Sequence, residues 1–185
     1  MSARSVKTIA WGAYGVAFPT AMHEMARIGK PPPERTRIKI LAIASGGGHW
    51  VQLRRIQEAF TDGEVVFASV TADYAEEVPG HRFYCVRDVT RWDRLGILVL
   101  AVQLLGVLYR ERPNVVVTTG SAPGFIALCM AKKLLRARTM WIDSIANCEQ
   151  MSSSGLRARR FADAWLTQWP YLEGKDGPKY WGAVL

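Results

Sequence analysis

The sequence predicts an α/β protein in which a mostly parallel sheet carries helices on both faces, and three observations predict it. Apolar runs of strand length alternate with stretches of helical period from residue 38 onward, as in a chain of βαβ units. Residues 38–44 (IKILAIA) are almost all apolar, which suits a strand covered on both faces. Two strand runs end in turns rich in Gly and Ser that open onto helices. Together these features define a Rossmann-like sheet.

Residues 1–37 are expected to form an N-terminal apolar and basic segment closed by a stiff, proline-rich linker, PPPERTR at 31–37. Within it, residues 8–22 are weakly apolar and interrupted by Pro19, and fall short of the roughly 20 residues that span a bilayer. Arg4 and Lys7 precede this stretch, so a signal peptide is a second reading, and Met22 and Met25 offer later starts. Residues 38–185 are expected to form one domain. After the first strand, HWVQLRRIQEAF places Leu53, Ile56 and Phe60 at helical spacing, and Asp62-Gly63 supplies a turn. Residues 65–70 and 82–86 read as strands, 95–110 as a helix stopped by Pro113, and 115–118 as a strand. A helix to about residue 135 follows, then strands at 139–142 and 165–167 with a basic helical stretch at 156–161 between them.

The composition narrows the classes of function. A net charge of +8 points to an anionic partner, and seven tryptophans suit a boundary between apolar and wet surroundings. Cys85, Cys129 and Cys148 are odd in number, widely spaced and in no metal-binding pattern. They point to a reducing compartment and read as buried structural thiols, with no metal expected. No nucleic-acid motif accompanies the charge, so no nucleic-acid partner is expected.

In such sheets ligands bind beyond the carboxyl ends of the strands. Ser45, Gly46, Gly47, Gly48 and His49 follow the first strand directly. A glycine triplet allows close backbone approach, and the helix that follows offers free N–H groups to an anion such as a diphosphate. A tight turn with no ligand is the plainer reading. The stretch lacks the Gly-Lys-Ser/Thr of a triphosphatase loop, and Val51 stands where a dinucleotide fingerprint needs a third small residue. Asp73 keeps a small NAD-dependent enzyme open as an alternative. His49 could be a general base, a phosphate contact or a cap on the turn. Gly120, Ser121 and Gly124 lie in a second such turn, TGSAPG, after the strand at 115–118, and Asp143 ends the next strand as either a ligand or a helix N-cap.

The run LGILVLAVQLLGVLY at 95–109 holds no charge but is too short to span a bilayer. It reads as a buried helix or as one facing a membrane. Arg82, Arg87, Arg91, Trp92 and Arg94 frame its start, and further basic residues lie at 132–138 and 157–160. A basic rim beside an uncharged helix suits an anionic membrane, with Arg91, Trp92, Arg94, Leu98 and Leu105 facing it. Solvated helix faces are the alternative.

The stretches ILAIASGGGHWVQLRRI, VVVTTGSAPG, WIDSIAN with SSSGLRARRFAD, and LTQWPYL with YWGAVL occur in this order from about residue 38. As an ordered set they resemble the membrane-anchor subunit family of the two-part N-acetylglucosaminyltransferase of asparagine-linked glycosylation, with its bacterial relatives in capsule and exopolysaccharide assembly. The resemblance implies a fold equivalent to the N-terminal half of a GT-B glycosyltransferase, as in the peptidoglycan enzyme that makes lipid II. That half binds a lipid-diphosphate-linked saccharide acceptor. The chain shows no second βαβ set for a nucleotide, so no cofactor is expected on it and the UDP-sugar donor is expected on a separate glycosyltransferase subunit. Ser45, Gly46, Gly47, Gly48, His49, Gly120, Ser121, Gly124 and Asp143 would then line the acceptor side, with His49 as catalytic base or diphosphate contact. Trp181 would help dock the partner. The implied place is the cytoplasmic face of the inner membrane, peripheral or weakly anchored, and the alternative is a non-catalytic scaffold that recruits the transferase there.

Overall fold

The computed structural model describes residues 37–60, 63–90 and 92–184. The expected N-terminal segment and linker therefore lie outside the described residues, apart from Arg37, as do Asp62 and Arg91. The strands are β1 (Ile38–Ile43), β2 (Gly63–Ser69), β3 (Arg82–Cys85), β4 (Val115–Thr118), β5 (Arg138–Ile142), β6 (Ala164–Thr167) and β7 (Lys179–Tyr180). They form one sheet in the order β3-β2-β1-β4-β5-β6-β7. Every neighbouring pair is parallel. The helices are α1 (Gly48–Arg55), α2 (Arg94–Glu111), α3 (Ser121–Met130) and α4 (Ser153–Ala158).

The apolar runs are explained by two-sided cover. Ile40 and Ala42 of β1 face Trp50 and Leu53 of α1, while Leu41 and Ile43 face Leu100 and Leu104 of α2 and Ala127 of α3. These residues are at most 2% exposed, and each large side chain contributes about 1.5–3 kcal/mol by leaving water. Beyond α3, Trp141 of β5 packs with Leu128 and with Ala158 of α4. α1 thus covers one face, and α2, α3 and α4 cover the other.

The helix expected over HWVQLRRIQEAF breaks after Arg55 and resumes as a 3-10 turn at Gln57–Phe60, which turns Phe60 into the α1-side core. A further 3-10 segment (Ala72–Glu77) and the short edge strand β7 carry no apolar period and were not expected. α3 continues as a π turn, Ala131–Leu135, closed by Arg136 in the left-handed region at φ 53°. Asp93 caps α2 by accepting from the Gly96 N–H at 2.8 Å, and Arg112, at φ 44°, ends it.

α2 divides the two readings of its sequence. Gly96, Leu100, Leu104, Val107 and Leu108 are buried, whereas Leu95, Leu98, Val99, Val102, Leu105 and Tyr109 are exposed. Its outward face is therefore as apolar as its inward one. Among the described residues no helix is long and apolar enough to cross a membrane. The buried-thiol reading fails for Cys85 and Cys148, which are exposed because they sit on an edge strand and in a loop. Cys129 is partly buried, and desolvation pushes its thiol up to about 11 against the charge of Lys133.

The edge of the sheet where the strands begin is held by charge. The Glu111 carboxylate is fully buried; it accepts from the Tyr84 hydroxyl at 2.6 Å and from Lys39 Nζ at 3.2 Å, and pairs with Arg82 at 3.2 Å. Burial alone would raise its pKa, but the hydrogen bonds from Tyr84 and Lys39 and the charge of Arg82 together hold it below the ordinary carboxylate value. A depressed carboxylate stabilises the fold above its unfolded-state pKa and loses that contribution as pH falls through the native value. Glu111→Gln is therefore expected to cost about 2 kcal/mol at pH 7. Urea denaturation of both proteins at pH 7 and pH 3 checks this, and the difference should shrink at the lower pH.

Candidate functional site

Between the neighbouring strands β1 and β4 the chain changes direction, since β1 leads into α1 on one face and β4 into α3 on the other. The two connections diverge at the carboxyl ends of the strands, the switch point of an open α/β sheet, where a ligand crevice is expected. Both glycine-rich turns lie there.

His49 is the second residue of α1 and is tied across the crevice to the turn after β4. Its Nδ1 lies 2.8 Å from the Thr119 carbonyl oxygen, and the Thr119 hydroxyl donates to the His49 carbonyl at 2.6 Å. A carbonyl only accepts, so Nδ1 carries the proton and donates. In the neutral ring the lone pair then lies on Nε2, which has no hydrogen-bond partner among the described residues.

The second turn is shaped to receive that ring. Gly120 has φ 128° and ψ −169°, a conformation essentially confined to glycine. A Cβ there would lie 2.7 Å from His49 Cε1. At Gly124 a Cβ would stand 1.9 Å from Thr118 Oγ1, so glycine is what lets α3 approach the end of β4. Thr118 Oγ1 in turn accepts from the Gly120 N–H at 3.1 Å.

Ser121 opens α3 in the left-handed region at φ 71°, a conformation that costs about 1–2 kcal/mol for a residue with a side chain. Its Oγ is buried without a hydrogen-bond partner among the described residues, and such a group calls for an explanation. Neither α1 nor α3 has a side-chain cap at its N-terminus, so both ends present N–H groups to the crevice.

Gly47 and Gly48 are exposed, and Ser45 and Gly46 partly so. A brace invisible in the sequence holds this turn: the Gly47 N–H donates to the Tyr74 hydroxyl at 3.0 Å. Tyr74 stacks on Trp50 at 4.7 Å with planes 1° apart, and Trp50 Nε1 donates to Glu77 at 2.9 Å. The unexpected 3-10 segment thus supports the glycine turn.

Asp143 is placed differently from either reading of it. The carboxylate is 2% exposed. Oδ1 accepts from Trp141 Nε1 at 3.1 Å and the Ser152 hydroxyl at 2.6 Å, and Oδ2 from Asn147 Nδ2 at 3.2 Å and the Ser152 N–H at 2.7 Å. With these bonds made it organises the loop after β5, and Ser152, not Asp143, caps α4 by accepting from the Gly155 N–H at 2.9 Å. Trp181 is partly buried against the α1-side core. Trp92, Arg94, Leu98 and Leu105, on α2 or just before it, are all exposed. Among the described residues no group of His, Cys, Asp and Glu could hold a metal ion.

A parallel sheet in this order, with its glycine turns at the β1–β4 switch point, has a Rossmann-like architecture. The chain is similar in fold to MurG of Acinetobacter baumannii, with a TM-score of 0.61 at 11% identity over 76% of this chain and 44% of that one. It is also similar to the UDP-GlcNAc 2-epimerase of Methanocaldococcus jannaschii, with a TM-score of 0.54 at 14% identity over 70% of this chain and 39% of that one. It thus spans less than half the length of either of these solved chains. In sequence it is similar to the UDP-N-acetylglucosamine transferase subunit ALG14 of Eremothecium gossypii, 24% identical over 94% of this chain and 89% of that protein. The same subunit of Yarrowia lipolytica is 24% identical over 77% of this chain and 79% of that protein. The resemblance to the transferase-subunit family is therefore borne out over most of the chain. No protein-family model matches it.

Gly120→Ala is expected to drive the His49 ring from its place and to cost about 1–3 kcal/mol from backbone strain alone. Thermal unfolding together with a crystal structure of the variant checks both effects.

Proposed function

We propose that this chain is the acceptor-binding subunit of a two-part glycosyltransferase whose second polypeptide holds a UDP-sugar. The observation that carries the reading is His49, its tautomer fixed by Thr119, between two uncapped helix N-termini at the switch point. The printed name of the relatives, a UDP-N-acetylglucosamine transferase subunit, supports the reaction class and the division into subunits. It makes N-acetylglucosamine the favoured sugar.

The acceptor is a lipid-diphosphate-linked saccharide. Its diphosphate meets the N–H groups that open α1 and α3 and the unpartnered Ser121 hydroxyl, which a phosphate oxygen would satisfy. An acceptor hydroxyl attacks the anomeric carbon of the donor as the bond from that carbon to the UDP oxygen breaks. UDP leaves with the bonding electrons, and the hydroxyl proton passes to His49 Nε2. The tautomer favours this role: with Nδ1–H given to Thr119, neutral Nε2 accepts a proton but has none to donate to a phosphate. General-base catalysis contributes about 10²–10⁴-fold.

The exposed face of α2 (Leu95, Leu98, Val102, Leu105 and Tyr109), with Trp92 before it, rests on the cytoplasmic surface of an anionic membrane. Arg87 and Arg94 near its start and Arg110 and Arg112 at its end, all exposed, meet lipid headgroups. Attachment by this helix is peripheral.

Transfer of radiolabelled sugar from UDP-sugars to membrane lipid tests the reading, with this chain alone and with a co-expressed donor-binding subunit. Activity is expected only for the pair. His49→Ala should lower kcat about 10²–10⁴-fold with acceptor binding retained. Loss of acceptor binding would make His49 a diphosphate contact, and undiminished transfer would favour the non-catalytic scaffold.

A second expectation concerns the membrane. Leu98→Glu and Leu105→Glu should each weaken binding to vesicles containing anionic lipid by at least about tenfold, since each removes roughly 1.5 kcal/mol or more of apolar burial. Cosedimentation at low and high salt measures the loss, and unchanged binding would exclude this face.

A further inference from the structure

One set of buried polar side chains joins parts of the chain far apart in sequence. Gln52, on α1 one turn beyond His49, is 5% exposed, and Gln168, just after β6, is 2% exposed. Gln168 Nε2 donates to Gln52 Oε1 at 2.5 Å and to the Asp143 carbonyl at 2.8 Å. Gln52 Oε1 also accepts from the Ile145 N–H at 3.2 Å, and its Nε2 donates to the Ser144 hydroxyl at 3.2 Å. At the far end Gln168 Oε1 accepts from the Val184 N–H at 2.8 Å. Val184 is itself buried in the α1-side core, against which Trp181 packs.

We propose that Gln52 and Gln168 are positioning residues through which the seating of residues 181–184 sets the place of His49. α1 is a helix of eight residues, and besides its apolar packing and the bonds of Trp50 and Arg54 to Glu77, polar ties hold it on two flanks. On one flank His49 is tied to Thr119 after β4. On the other, Gln52 is tied to the loop after β5 and, through Gln168, to the C-terminal segment. A short helix transmits a shift of Gln52 to His49 one turn away. In a buried network, loss of any member leaves its neighbours unsatisfied, so the network holds or yields as a unit. Whatever loosens or fixes residues 181–184 thereby acts on the site, although no side chain of that segment forms part of it.

The inference rests on the proposed catalytic role of His49 only in its kinetic arm. In the complex with a donor-binding subunit, Gln52→Leu and Gln168→Leu should each lower kcat about 10- to 100-fold, as expected for a misplaced catalytic group, with acceptor KM changed less than about twofold. The double variant removes both amides together, so its thermal stability should recover part of what the single variants lose while kcat stays low. Recovery of kcat in step with stability, or wild-type kcat in the single variants, would overturn the proposal. The second arm needs no transfer activity. Imidazole NMR signals of the full-length chain should move at His49 in Gln168→Leu and stay in place at His81, which is bonded instead to Val65 and Gln57. An unmoved His49 signal overturns the proposal, whereas a wild-type pair that transfers no sugar defeats only the functional reading.

Discussion

The reciprocal pair of hydrogen bonds between His49 and Thr119 is the constraint on which the rest of the site depends. β1 and β4 are neighbours, yet their following helices leave on opposite faces of the sheet, and nothing in the ladder itself fixes how far the two turns part. The His49 ring and backbone, bonded to the backbone and hydroxyl of Thr119, set that separation. Gly120 must then lack a side chain, and Gly124 must lack one for α3 to reach its seat. The backbone conformation at Ser121 follows from the same turn, which holds its hydroxyl buried and unpaired. A polar atom kept in that state costs stability, and the natural reading is that a ligand completes it.

The two edges of the sheet divide stability from chemistry. Where the strands begin, Lys39, Glu64, Arg82, Tyr84 and Glu111 satisfy one another, and Glu111 is fully enclosed by partners. Where β1 and β4 end, the N-termini of α1 and α3 stand without side-chain caps and glycines replace side chains. The same asymmetry separates the two faces: α1 and the C-terminal segment close one, while α2 presents an apolar surface on the other that no described element covers.

Much of this arrangement was legible in the sequence because its signals are local. The period of the apolar runs gave the strands, and a glycine turn following an apolar strand placed the site at the carboxyl edge. What escaped depends on contacts between distant segments. Gln52 reads as an ordinary polar residue of an amphipathic helix, and only its partners 92 to 116 positions away show why it is buried. Tyr74 lies in a segment without apolar period, so its support of Gly47 left no pattern to read. Asp143 read as a ligand or a helix N-cap because its donors, Trp141 on β5 and Asn147 and Ser152 in the irregular loop after it, follow no local pattern. α2 gave an ambiguous signal for a physical reason, since an interior face and an apolar outward face have the same composition.

The central claim is that this chain holds the acceptor at the β1–β4 switch point. Photo-crosslinking tests it most directly, using a lipid-diphosphate saccharide with a diazirine next to the diphosphate, followed by mass-spectrometric mapping in the complex with a donor-binding subunit. The account predicts adducts within residues 45–49 and 119–121, suppressed by excess unlabelled acceptor. Competable adducts confined to the other subunit would contradict it.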